Sequence, residues 1–400
     1  MRGRGLVLFS AALAPAAVNR PFVRATKAVG ATGQRWVLRR VPRRPTLLGM
    51  NNIRAAIVGP TGLTGRYLVE LLARHPQATL TYLASHREVL PDLRDEFPRL
   101  RGTLHEDVAQ CRPIDADQIA AAADVVFLGL PHKAAMAYAP ALLDAGLRVI
   151  DLSADYRLND ADQYETVYAT PHTDRANLAG AVYGLPELFR TQLPGAMLVA
   201  NPGCYPTAAA LAVSPLLSHA LVNPAPVQIA AASGTTGAGR GAKEATSFIN
   251  VNEGFGAYGA IGGHRHQPEI AQTLSRVAGE AVSPLFVPHL LPIDAGILET
   301  IFLEPKDDDV TEADLFEAYR DAYADEPFVR VREPDDALPN VKHVVGTNFC
   351  DVSVRLVTAA NGERSVVAFA AEDNMMKGAS GQAVQNMNAV FELPETTGLF

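Results

Sequence analysis

Cysteine is scarce in this 400-residue chain: Cys111, Cys204 and Cys350 are odd in number and far apart. That excludes a disulfide framework and a paired zinc site, and it fits a reducing compartment. Positive charge is also in deficit. The formal net charge of −8 argues against nucleic acid as a partner, and no apolar run approaches the ~20 residues that span a bilayer, so no membrane is expected either. A His-x-His pair, His264 and His266, lacks a third ligand at suitable spacing, and no metal is expected. What remains is an ordinary globular composition, 48% hydrophobic and 20% charged, in a chain long enough for two domains with a core each.

Acids are missing from residues 1–50, which carry ten Lys or Arg; since the whole chain carries −8, the remainder carries −18. This basic extension has three readings: a start set too far upstream, since Met50 stands directly before the first domain strand; a cleaved organellar presequence, on the Arg-rich "RWVLRRVPRRP"; or a secretory signal, on "MRGRGLVLFSAALAPAA". Secretion fits least with chemistry that needs a reduced thiol. The protein is expected in the cytoplasm, or in an organellar matrix if the presequence is genuine.

From Asn52 short apolar runs alternate with helical patterns: "IRAAIVG", "ATLTYLAS", "ADVVFLGLP" and "LRVIDLSA" read as buried strands, and "GLTGRYLVELLARHP" as an amphipathic helix. The predicted class is α/β, a Rossmann-type dinucleotide-binding domain. Its turn is "GPTGLTG", Gly59, Thr61, Gly62, Leu63, Thr64 and Gly65, where glycine lets a pyrophosphate approach the helix start. An acid is missing where the second strand ends. In its place stand Ser85 and Arg87, a hydroxyl and a guanidinium that suit the 2′-phosphate of NADP rather than the 2′-hydroxyl of NAD. The loop "GLPHKAAM", with Pro131, is expected to pass the cofactor again.

"NPGCYPTAAALAVSPLL" places Cys204 after an Asn-Pro-Gly turn and at a helix start. A helix N-terminus favours thiolate, so a lowered pKa and a nucleophilic role are expected there, whereas Cys111 and Cys350 read as small buried hydrophobes. Beside a nicotinamide, a thiolate captures an acyl group as a thioester. Acid–base help is expected from "GHRHQPEI", where His266 or His264 would move the proton and Glu269 would hold the imidazole in its tautomer. Arg240 and Lys243, in the glycine-rich "SGTTGAGRGAK", suit a substrate phosphate or carboxylate.

Taken in order, "GPTGLTG", "DLSADYRL", "VYGLPEL", "NPGCYPTA", "SGTTGAGR", "GHRHQPEI", "LPNVKHVVGTNFCD" and "EDNMMKGASGQAVQNMN" make residues 53–400 resemble the N-acetyl-gamma-glutamyl-phosphate reductases, arginine-pathway relatives of aspartate-semialdehyde dehydrogenase. The resemblance implies NADPH-dependent reduction of an acyl phosphate to an aldehyde with release of inorganic phosphate. It implies Cys204 as nucleophile and His266 as acid–base group with Glu269, His264 remaining a rival. It also implies Ser233, Gly234, Gly237 and Asn374 at the nicotinamide, and Arg157 and Asn201 among the substrate contacts. A second α+β domain of mixed sheet and flanking helices would make a homo-oligomer, dimer or tetramer. The expected division is a basic extension (1–50), an NADP-binding domain (51–201), a catalytic and oligomerisation domain (202–369) and a C-terminal helix returning to the cofactor domain (370–400). One departure from the family pattern is Ala295 before Gly296, where an arginine is usual; it leaves an aminoadipyl homologue as an alternative substrate. A catalytically silent NADP-binding scaffold is the alternative of another class.

A chain beginning at Met50 is expected to fold and keep full activity, because the recognisable domain starts after it. Insoluble or inactive truncated protein would contradict this reading.

Overall fold

The computed structural model describes residues 23–30, 33–40, 52–241, 243–259 and 263–400. β1 (Val23–Gly30) and β2 (Gly33–Arg40) pair as an antiparallel hairpin; the start and presequence readings of residues 1–50 otherwise fall outside the described residues.

The next six strands form one parallel sheet: β3 (Ile53–Val58), β4 (Ala78–Ala84), β5 (Val125–Leu128), β6 (Arg148–Asp151), β7 (Val182–Tyr183) and β8 (Leu198–Ala200), in the order β4-β3-β5-β6-β8-β7. The apolar runs of β3 and β5 are buried almost throughout, as a sheet covered on both faces requires. The order reverses at β3, which lies between β4 and β5, so a crevice opens at the carboxyl ends of β3 and β5.

The remaining strands build a mixed sheet: β9 (Val222–Ser233), β10 (Gly256–Ala257), β11 (Pro284–Leu290), β12 (Ile297–Pro305), β13 (Val329–Val331), β14 (Cys350–Thr358) and β15 (Arg364–Glu372), in the order β10-β11-β9-β12-β15-β14-β13. Helix Cys204–Ser218 lies against it, buried from Tyr205 to Leu217. Being apolar all round, the helix belongs inside a core rather than on a surface. Three residues separate it from the end of β8, so its first residue, Cys204, stands where the parallel sheet hands over to the mixed sheet, packed against the core of the latter.

The chain then returns. Helix Gly381–Val390 is buried along its whole length, packs on helix Leu63–Leu72 and shares a core with Ile53, Leu68 and Leu72. Asn386 ties it to the ends of β7 and β8: its Nδ2 donates to Gly184 O at 2.8 Å and to Asn201 Oδ1 at 3.0 Å.

Two glycines permit the close packing of the first βα turn. Gly59 has φ +83°, and a Cβ there would lie 2.5 Å from Gly129 O; at Gly65 it would lie 2.4 Å from Gly59 O. Alanine in a helix is worth ~1 kcal/mol over glycine, yet a clash with fixed backbone outweighs it. Gly65→Ala is expected to destabilise the fold by about 1–3 kcal/mol, read as a lower urea midpoint. Unchanged or raised stability would show that the turn has room.

Candidate active site

A cleft of about 860 Å³ runs from the Gly59–Gly65 turn to Cys204. At one end helix Leu63–Leu72 begins at Gly62 without a side-chain cap and without an acid in its first turn. Its first N–H groups are therefore left for an anion. Gly62 is the glycine with room, its Cβ position being 3.6 Å from the nearest neighbour atom, and Gly62, Thr61, Leu63 and Thr64 all line the cleft. This turn fits a dinucleotide pyrophosphate. Pro131 lines the middle, on a loop anchored by Asp155, whose carboxylate accepts from Lys133 N at 2.6 Å and Met136 N at 3.2 Å.

Above the cleft runs a strap, 233–241. Gly234 N donates to Gly296 O at 2.9 Å, while Asn374 donates to Thr236 Oγ1 at 3.0 Å and accepts from Gly296 N at 2.7 Å. Ser233, Gly234, Gly237, Lys243 and Asn374 line the cleft on this side, and the Lys243 ammonium donates to Ala238 O at 3.3 Å.

At the other end Cys204 is the first residue of its helix and half-buried. The turn before it is gripped from behind. Glu269 Oε1 accepts from Gly203 N at 2.8 Å and from Tyr183 OH at 2.8 Å, and Glu269 Oε2 lies 3.5 Å from Arg157 Nη1. A Cβ at Gly203 would lie 2.8 Å from His266 Nε2 and 2.9 Å from Arg157 Nη1, so imidazole and guanidinium flank that residue. Arg157 is buried and fixed, donating to Asn201 O at 2.7 Å and Leu152 O at 2.9 Å. Burial, with His264 and Arg157 nearby, holds His266 well below the usual histidine range. Burial and Arg265 bring His264 down to about 4. Both imidazoles are neutral near pH 7. His264 Nδ1 accepts from His266 N at 3.2 Å, and its ring packs against Tyr205, Tyr258 and Phe286.

Residues 54–196 match the family model of the semialdehyde dehydrogenase NAD binding domain, and residues 204–374 that of the dimerisation domain. N-acetyl-gamma-glutamyl-phosphate reductases from Citrifermentans bemidjiense and Geobacter sulfurreducens are each 47% identical, over 347 and 350 residues, covering 87% of this chain and 98% of theirs. The chain belongs to this reductase family. Among solved structures, aspartate semialdehyde dehydrogenase II from Vibrio cholerae shares the fold at TM-score 0.62 and 15% identity, covering 84% of this chain and 98% of that one. The Candida albicans aspartate semialdehyde dehydrogenase with NADP does so at TM-score 0.57 and 15% identity, with the same coverage. No helix among the described residues is long and apolar enough to cross a membrane.

Within this reductase fold several expectations need correction. The Cys204 thiol is not lowered. Burial, then the nearby Glu372 carboxyl, push it up to about 12 against the opposing Tyr205 N–H and Arg157, because desolvating a thiolate costs several kcal/mol and a helix terminus returns only ~0.3–1 kcal/mol. Glu269 does not hold the His266 tautomer: it is spent on Gly203, Tyr183 and Arg157, and His266 Nδ1 has no hydrogen-bond partner among the described residues. Ser85 is buried, its hydroxyl accepting from Arg87 N at 3.3 Å, and does not line the cleft. Gly65 and Asn201 do not line it either; Asn201 is buried and donates to Ala379 O at 3.1 Å. Arg240 is at the cofactor end, donating to Thr61 O at 3.0 Å, rather than beside the thiol. Ala295 is buried under the strap, 2.9 Å from a Cβ position at Gly234, and is not a cleft residue.

Sequence reasoning missed Gly378 and Glu96. A Cβ at Gly378 would lie 2.7 Å from Cys204 Cβ and 2.8 Å from Glu372 Oε1, so only glycine fits behind the nucleophile; the motif "KGASGQ" carried that signal without saying why. Nothing local marks Glu96, which reaches the cleft mouth from the end of the short helix Leu93–Glu96.

Alkylation of Cys204 in the unliganded protein, mapped by mass spectrometry, is expected to accelerate about tenfold per pH unit and still be rising near pH ~10, because the rate follows the thiolate fraction. A plateau near neutral pH would show that the helix terminus outweighs burial.

Proposed function

We propose that this chain catalyses the NADPH-dependent reductive dephosphorylation of N-acetyl-gamma-glutamyl phosphate to N-acetylglutamate 5-semialdehyde and inorganic phosphate, in arginine biosynthesis, as a cytoplasmic homo-oligomer. The observation that carries this reading is one cleft that joins an uncapped dinucleotide turn to a cysteine at a helix start. In this reading residues 51–201 bind the cofactor, residues 202–369 carry the nucleophile and the subunit contact, and residues 370–400 close the cleft from behind.

Cys204 Sγ attacks the acyl carbon; a C–S bond forms, and the phosphate leaves with the electrons of the broken C–O bond. His266 takes the thiol proton at Nε2, since that atom faces Gly203 while His264 Nδ1 is already engaged. Arg157, a fixed buried cation beside the turn, faces the substrate's anionic group, and Lys243 offers a second charge under the strap. A dihydronicotinamide bound in the cleft would supply the hydride for the thioester carbon. The proton held at His266 then serves the oxygen that gains charge, and passes back to sulfur as the C–S bond breaks. Arg87, at the end of β4, selects the 2′-phosphate.

The test is the reverse assay: phosphate, NADP and N-acetylglutamate semialdehyde should generate NADPH absorbance, with aminoadipate and aspartate semialdehydes much poorer. Cys204→Ser is expected to lose turnover by several orders of magnitude with NADPH affinity little changed. His266→Asn is expected to slow the chemical step by roughly 10²–10⁴. A near-normal rate in Cys204→Ser would overturn the covalent route, and the same loss in His264→Asn alone would exchange the two histidines.

A further inference from the structure

The cleft mouth at the cofactor end holds an arrangement that the reaction does not require. Glu96 accepts from Arg87 Nη1 at 3.1 Å and Nη2 at 3.4 Å, and also from Arg240. Arg240 comes from the strap on the other sheet, donates to Thr61 O at 3.0 Å and lies over the Phe97 ring at 4.9 Å. All three charged residues line the cleft. Arg87 and Arg240 are half-exposed, whereas the Glu96 side chain is 18% exposed. Burial pushes the Glu96 carboxyl up, but hydrogen bonds and charge from Arg240 and Arg87 more than reverse this and hold it below the usual carboxylate range.

A carboxylate gripped by two guanidiniums occupies the geometry in which two guanidiniums grip a phosphate. The location adds a second argument. In this type of sheet the adenosine ribose lies at the end of the second strand, where an acid reads a 2′-hydroxyl and an arginine reads a 2′-phosphate. Here both residue types are present, and they are bonded to each other.

We propose that Glu96 is a specificity-determining residue: its carboxylate stands where the 2′-phosphate of the cofactor would sit, so NADP(H) must displace it from Arg87 and Arg240, whereas NAD(H) leaves it in place to accept the 2′-hydroxyl. Glu96 thereby narrows the discrimination between the two cofactors. The proposal rests on the cofactor reading given above.

Binding of 2′,5′-ADP, which carries the 2′-phosphate, and of 5′-AMP, which lacks it, is measured by calorimetry on the full chain. Glu96→Gln keeps the shape and removes the competing charge. It is expected to tighten 2′,5′-ADP by about tenfold while 5′-AMP stays within about twofold. Arg240→Ala is expected to weaken 2′,5′-ADP by a similar factor, with a shallower salt dependence. Parallel changes for both ligands in Glu96→Gln, or weaker 2′,5′-ADP binding, would overturn the assignment of Glu96 and leave the cofactor reading intact. Wild-type protein that binds neither ligand would remove the cofactor reading, and this proposal with it.

Discussion

The Glu269 carboxylate, 1% exposed, joins three parts of the molecule at once. It sits in the first turn of helix Gln267–Ala278 beside the mixed sheet, and accepts from the turn that precedes Cys204, from Tyr183 on β7 and from the Arg157 side chain. A buried carboxylate survives only if its lone pairs are used and a cation is near, and these partners meet that condition. Arg157 depends on it in return, since a buried guanidinium left without a counter-charge is strongly destabilising. The place of the thiol between two sheets therefore follows from satisfying one buried acid.

Around that contact the cleft is assembled from three separate stretches of the chain. The parallel sheet contributes the uncapped helix start, the mixed sheet contributes the strap and the histidines, and the returning segment contributes Asn374 and Gly378. Lys377, wholly buried, donates to Glu187 at 2.6 Å and to Gln385 at 2.8 Å, which fixes the turn that carries Gly378 against Cys204. Burial raises Glu299 and Glu372 well above the usual carboxyl range, with Lys377 opposing the shift at Glu372. The resulting site sets a half-buried thiol near the buried, cationic Arg157. Such a site amplifies whatever charge the substrate brings.

What the sequence determined by itself is local. Alternating buried runs and amphipathic helices specify the parallel sheet, glycine spacing marks the cofactor turn, and Asn201-Pro202-Gly203 ahead of an apolar run places Cys204 at a helix start, because each depends on periodicity or turn chemistry over a few residues. Only the tertiary structure decided how the polar side chains are shared. Glu269 meets Gly203 across 66 residues and Arg240 meets Thr61 across 179, and no spacing rule reaches that far. Ser85 faces inward because the β4 end places its hydroxyl on its own chain, at Arg87 N. The thiol is raised rather than lowered because burial, a property of the packed domains, outweighs the helix terminus that the sequence displays.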